Sequence, residues 1–120
     1  MAKILIVDDA SFMRGSLKYI AESGGHEVVG MAKSGKEAME MWIKLKPDLT
    51  TLDILMREMD GITTLKEIVK IDPMAKVIMV SALGHDEKQE EALNLGASGF
   101  IRKPFKREDI INEIDKVLKK

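Results

Sequence analysis

Short β-branched apolar runs alternate along this chain with longer stretches of helical period, and no other feature restricts its fold so tightly. Such alternation is the pattern of βαβ units built on a parallel sheet. Strands are expected at Ile4–Val7, Val28–Ala32, Leu49–Leu52, Val77–Val80 and Gly99–Ile101. Apolar runs this continuous suit strands covered by helices on both faces. The first helix should run from about Ser11 to Ser23, with Met13, Leu17, Ile20 and Ala21 inward and Gly24-Gly25 as its stop. A capping box, Ser34-Gly35-Lys36-Glu37, opens the second, which carries Ala38, Met41, Trp42 and Leu45 on one face until Pro47 ends it. The third spans about Ile62 to Ile71, and the fifth carries Ile110, Ile114, Val117 and Leu118. The fourth, about Asp86 to Leu95, has almost no apolar face before Ala92, Leu93 and Leu95, so it should be the least firmly packed.

Five strands and five helices use nearly every residue, leaving one α/β domain over 1–120 with no linker, repeat or low-complexity tract. A hydrophobic content of 45%, a charged content of 32% and a net charge of -1 describe a globular chain with no electrostatic reason to bind nucleic acid or an anionic membrane. The absence of cysteine removes disulfides, thiolate metal sites and a cysteine nucleophile, and is compatible with a reducing, cytoplasmic setting. The apolar run Ile4–Val7 stops at Asp8-Asp9, too soon for a signal peptide or a membrane span.

Parallel strands joined by right-handed crossovers point one way, so the residues that follow each strand gather along one edge, where ligands bind in open α/β folds. Asp8 and Asp9 follow strand 1, Asp53 follows strand 3, Ser81 follows strand 4, and Lys103-Pro104 follow strand 5. Three carboxylates that close repel one another unless a cation lies among them. Oxygen ligands without histidine or cysteine select Mg²⁺ or Mn²⁺ over zinc. Mg²⁺ takes few protein carboxylates and completes its shell with water and phosphate oxygens, so a phosphoryl group is the implied missing ligand. Lys103 and the Ser81 hydroxyl would then serve as charge compensator and hydrogen-bond donor. Asp53, central and flanked by the others, is the candidate nucleophile that would form an acyl phosphate.

The segments "ILIVDDASFMR", "LDILMREMDG", "VSALG" and "FIRKPF", in this order and spacing, resemble the receiver domain of two-component response regulators over essentially the whole chain. The resemblance implies a flavodoxin-like, doubly wound five-stranded sheet of order 2-1-3-4-5 in three layers. It also implies that Asp53 accepts phosphate from a histidine kinase, while Asp8, Asp9, Asp53 and the backbone carbonyl of Leu55 hold Mg²⁺. Ser81 and Phe100 would be the switch residues that remodel the surface of helix 4, strand 5 and helix 5. Such a protein catalyses only its own phosphorylation and dephosphorylation. Chain ends that coincide with the domain ends resemble the stand-alone chemotaxis type, a cytoplasmic monomer served by a chemotaxis-type kinase and acting on a motor or adaptor protein. Arg57 stands where the family commonly has proline, and Leu55 and Leu83 are expected to shield the phosphoaspartate from water.

Taken singly, these residues have plainer readings: Asp8 and Asp9 as caps of the first helix, Asp53 as a loop residue, Phe100 as core, and His26 and His85 as surface histidines. Met13, Met31, Met41 and Met79 fall on apolar faces and read as core filler. It is the assembly at one edge that outweighs the plainer readings. A flavin carrier would want a Ser-, Thr- and Gly-rich first loop, where Asp8-Asp9 would repel the phosphate. An aspartate phosphatase would want a second Asp at position 55, which is leucine. A phosphate sink in another pathway and an unphosphorylated binding module are the remaining alternatives.

Overall fold

The computed structural model describes residues 1–56, 59–82 and 86–120; Arg57, Leu83 and His85 lie outside them. Five strands, β1 (Lys3–Val7), β2 (Glu27–Ala32), β3 (Leu49–Asp53), β4 (Val77–Ala82) and β5 (Gly99–Lys103), alternate with five helices. The helices are α1 (Ser11–Ser23), α2 (Gly35–Leu45), α3 (Gly61–Ile71), α4 (Asp86–Leu95) and α5 (Arg107–Leu118). All strand pairs are parallel and the order is β2-β1-β3-β4-β5, the doubly wound, flavodoxin-like sheet expected. β3, β4 and β5 each run past the ends read from apolar content alone. Ladder pairing carries them on, with Asp53 opposite Val80 and Lys103 opposite Ala82, so Asp53, Ser81 and Lys103 belong to strand ends rather than to the loops beyond.

Strand side chains alternate across the sheet and divide the core in two. Ile4, Ile6, Ile78 and Ile101 meet Leu17 and Ile20 of α1 and Ile110, Ile114 and Val117 of α5. Leu5, Val7, Leu52 and Met79 meet Ala38 of α2, Leu65 and Ile68 of α3 and Ala92 of α4. The strands are therefore covered on both faces, which is why their sequences are apolar without interruption. Truncating a fully buried member such as Leu65 to alanine costs about 2–5 kcal/mol by cavity formation.

The ends of the helices follow their local chemistry. Ser34 Oγ accepts from Glu37 N at 3.2 Å, but Glu37 Oε1 turns to Lys33 N at 3.3 Å, so only half of the expected capping box closes. α2 ends with Lys46 in the left-handed region, φ 48, just ahead of Pro47. Asp60 caps α3 by accepting from Thr63 N at 2.9 Å. α1 has Ala10 as its N-cap, which makes no side-chain hydrogen bond, and the N–H of Ala10 is donated to Asp8 Oδ1 at 2.9 Å.

Two sequence expectations are corrected. His26 is not a surface residue: its side chain is 8% exposed and its Nδ1 accepts from Ala2 N at 3.2 Å, because the turn after α1 folds it under the start of β1. Leu93 does not share the inward face of α4 with Ala92; it is 47% exposed, since successive helical residues differ by about 100° around the axis. Ala92 is buried and Leu95 only partly so, which leaves α4 the thin apolar stripe anticipated for it. Two threonines of β3, Thr50 and Thr51, are buried with hydroxyls that lack a hydrogen-bond partner among the described residues, a feature not read from the sequence.

Candidate functional site

The carboxyl ends of β1, β3, β4 and β5 bring their terminal residues to one edge of the sheet. Asp8, Asp9 and Asp53 each offer a carboxylate oxygen there, all within 4.8 Å of one another. Asp8 and Asp53 are buried, and Asp9 is exposed. Lys103 Nζ reaches across from β5 to Asp8 Oδ2 at 3.1 Å and to Asp53 Oδ1 at 3.5 Å. One ammonium thus sits between two carboxylates, at the C-terminal end of a strand that is not adjacent to either of theirs.

Burial and charge set the protonation behaviour of Asp53. Desolvation first, and the Asp8 carboxylate second, push its carboxyl up from the usual 3.8 to about 6, with Lys103 opposing them. Among the described residues one ammonium faces two of the three carboxylates, so the cluster carries excess negative charge in a partly dry place. Among the described residues its donor set is all oxygen, without histidine, and this chemistry fits a hard divalent cation that would relieve the repulsion.

The surrounding backbone is fitted closely to β3. Gly61, the first residue of α3, donates its N–H to the Ile54 carbonyl at 2.8 Å. A methyl group on Gly61 would overlap the Asp53 carbonyl oxygen and Ile54 Cα, so the start of α3 approaches the end of β3 this closely only as a glycine. Ser81 is buried at the end of β4, one residue beyond Val80, the cross-strand partner of Asp53, and its hydroxyl faces the Ala82 carbonyl at 3.4 Å. Leu55 has a side chain 55% exposed beside the site. Phe100 lies further back on β5, opposite Met79, half-buried against the α2, α3 and α4 side of the core, with its N–H donated to Glu113 Oε2 at 2.9 Å. The structure thus brings Asp8, Asp9, Asp53 and Lys103 into one cluster, puts Ser81 on the neighbouring strand end, and leaves Phe100 outside the cluster.

Sequence reasoning missed two contributors. Gly61 was visible only as the end of a quoted motif, and nothing in the sequence revealed that its missing side chain makes room for the Asp53 backbone. Arg14 donates from Nη1 to the Asp8 carbonyl at 2.7 Å. Its sole sequence signal is its place one turn into the helix that follows an acidic pair.

Comparison with known proteins agrees with this geometry. Residues 4–115 match the family described as response regulator receiver domain. The chain is similar to the chemotaxis protein CheY of Thermotoga maritima, 50% identical over 117 residues that cover 98% of each chain. Its similarity to CheY of Bacillus subtilis is 48% identity over 97% of each. Among solved structures, a chain of the CheX–CheY–BeF3–Mg²⁺ complex from Borrelia burgdorferi superposes with a TM-score of 0.92 at 38% identity, covering 96% of this chain and 87% of that one. With acidic residues, hydroxyl and lysine gathered at one edge of a 2-1-3-4-5 sheet, and near-complete coverage by such relatives, the chain belongs to the receiver-domain family of two-component response regulators.

Proposed function

We propose that Asp53 takes a phosphoryl group from the phosphohistidine of a CheA-like histidine kinase, within a single receiver domain spanning 1–120. The observation that carries this reading is the Lys103 ammonium, 3.1 Å from Asp8 and 3.5 Å from Asp53. It compensates charge where charge would accumulate. A carboxyl that titrates near about 6 is mostly ionised at neutral pH and so can act as a nucleophile. An Asp53 oxygen forms the new O–P bond as the donor's N–P bond breaks, and the electron pair leaves with the imidazole nitrogen. Such transfer needs mainly positioning and neutralisation. Lys103 keeps Asp8 as a partner while turning toward the added phosphoryl oxygens, and the Ser81 hydroxyl donates to another of them.

Asp8, Asp9, Asp53 and the Leu55 carbonyl are the residues that would hold Mg²⁺ or Mn²⁺. When bound, the ion supplies neutralisation of the phosphoryl oxygens. Ser81 and Phe100 act as the switch, and the surface of α4, β5 and α5 carries the signal to a motor or adaptor protein. The thin apolar stripe of α4 supports this, because a switch needs two packings close in free energy. The similarity to chemotaxis relatives favours a regulator of chemotaxis, for which a cytoplasmic monomer is our reading. No described helix is long and apolar enough to cross a membrane. Incubation with acetyl phosphate and Mg²⁺, followed by intact mass, tests the chemistry. One added phosphate, absent in Asp53→Asn, is expected; an unmodified wild type, or a variant still modified, overturns it.

A further inference from the structure

We propose that Arg14 is a positioning residue that holds the peptide between Asp8 and Asp9 and so sets the cation affinity of the acidic cluster. The proposal rests on the cation-binding reading above and adds a residue to it. The three carboxylates are not held alike. Asp8 is held twice, by Ala10 N at 2.9 Å on Oδ1 and by Lys103 Nζ at 3.1 Å on Oδ2. Asp53 is buried and faces the same ammonium. Asp9 is exposed, and its carboxylate makes no hydrogen bond or ion pair among the described residues. Among the described residues, its place beside the other two is therefore set by its backbone.

That backbone has a specific clamp. The carbonyl of Asp8 belongs to the peptide that joins the two aspartates, and it accepts from Arg14 Nη1 at 2.7 Å, a short, charge-assisted bond. Arg14 is the fourth residue of α1, and its own N–H begins the helical ladder by donating to the Ala10 carbonyl at 3.0 Å. Helical side chains lean toward the N-terminus, so the guanidinium reaches back over the turn and ties α1 to the end of β1. Upstream, Asp8 N donates to the Ala32 carbonyl at 3.0 Å. Both sides of Asp8 are thus pinned, and the direction of the Asp9 side chain follows.

Charge alone argues for the opposite effect. A guanidinium near three carboxylates repels a divalent cation, so removing it should tighten binding if electrostatics were its only influence. Loss of the clamp should weaken binding, as loss of a group that orients a metal ligand does. The sign of the change separates the two.

The test uses the full chain with Arg14→Met and Arg14→Lys. Mg²⁺ is titrated by the rise in melting temperature, and separately by the Mg²⁺ concentration that half-saturates phosphorylation by acetyl phosphate. Arg14→Met is expected to raise both half-saturating concentrations about 10-fold while the rate at saturating Mg²⁺ stays near that of wild type. Arg14→Lys, with the charge kept and a single-point donor, should fall between the two, and it carries the test alone if Arg14→Met does not fold. A variant whose melting temperature drops equally with and without Mg²⁺, at unchanged half-saturation, overturns the positioning role, as does tighter binding. A wild type without any Mg²⁺ response overturns the cation reading and this proposal together; a wild-type response that both variants preserve overturns this proposal alone.

Discussion

In metal-free protein, Asp53→Asn should stabilise the fold above pH 6 and do nothing at pH 4. The folded carboxyl titrates near about 6 against an ordinary 3.8, a displacement of about two pH units. At about 1.4 kcal/mol per unit this corresponds to roughly 3 kcal/mol of differential interaction. The site lies at an open edge beside an exposed Asp9, so solvent screening reduces the effect to about 1–2 kcal/mol. The direction follows from which state holds the proton more tightly. A raised folded value means the native state binds the proton better, so this contribution to stability is present below 3.8, declines as pH rises through about 6, and is absent above. Asparagine cannot ionise and escapes the decline. Lys103 loses its 3.5 Å contact in the variant but keeps Asp8 at 3.1 Å, which limits the offset. Urea unfolding of both proteins in EDTA, at intervals from pH 4 to 8, reads the difference, since other titrating groups are common to both. A gap independent of pH, or a wild type more stable at pH 7.5, would refute the account of Asp53 as a carboxylate held at a cost. Mg²⁺ should then close the gap, because ligand at about 100 times its Kd adds about 2.7 kcal/mol to the protein that binds it better.

Lys103→Met should leave Asp8 and Asp53 uncompensated, cutting the acetyl phosphate rate at least about 10-fold and lowering stability at pH 7.5 by about 2 kcal/mol, read by intact mass and by urea unfolding. Gly61→Ala should cost about 2–4 kcal/mol, because the added methyl displaces the Asp53 carbonyl; it should also slow phosphorylation, whereas an alanine accommodated without loss would contradict the close approach. Thr51→Val removes a buried hydroxyl that lacks a partner among the described residues and should raise stability by about 1 kcal/mol in thermal or urea unfolding, a lower melting temperature being the contrary result.

Much of this architecture is readable in the residues themselves, and the exceptions have a common cause. Ile4–Val7 and Val77–Val80 announce strands because both faces of each are buried, and the rule that parallel strands end at one edge then gathers Asp8, Asp9, Asp53, Ser81 and Lys103 without coordinates. Helix caps such as Ser34 apart, much of what escapes the sequence depends on a backbone atom as partner. Arg14 finds the Asp8 carbonyl, His26 finds Ala2 N, Glu113 finds Phe100 N and Gly61 makes way for the Asp53 carbonyl; a peptide group looks the same at every position, so nothing in the sequence marks it as a target. The strand ends are extended for the same reason: the ladder takes β5 on to Lys103 through pairing that side-chain polarity opposes.

The contact between Lys103 and Asp8 joins residues 95 apart, one near each end of the chain. A ribosome therefore delivers all three acids long before the ammonium that tempers them. Until β5 adds to the edge of the sheet, a growing polypeptide holds Asp8 and Asp53 without the Lys103 ammonium that offsets their charge. The charge of this acidic edge is therefore tempered only once the outermost strand has docked.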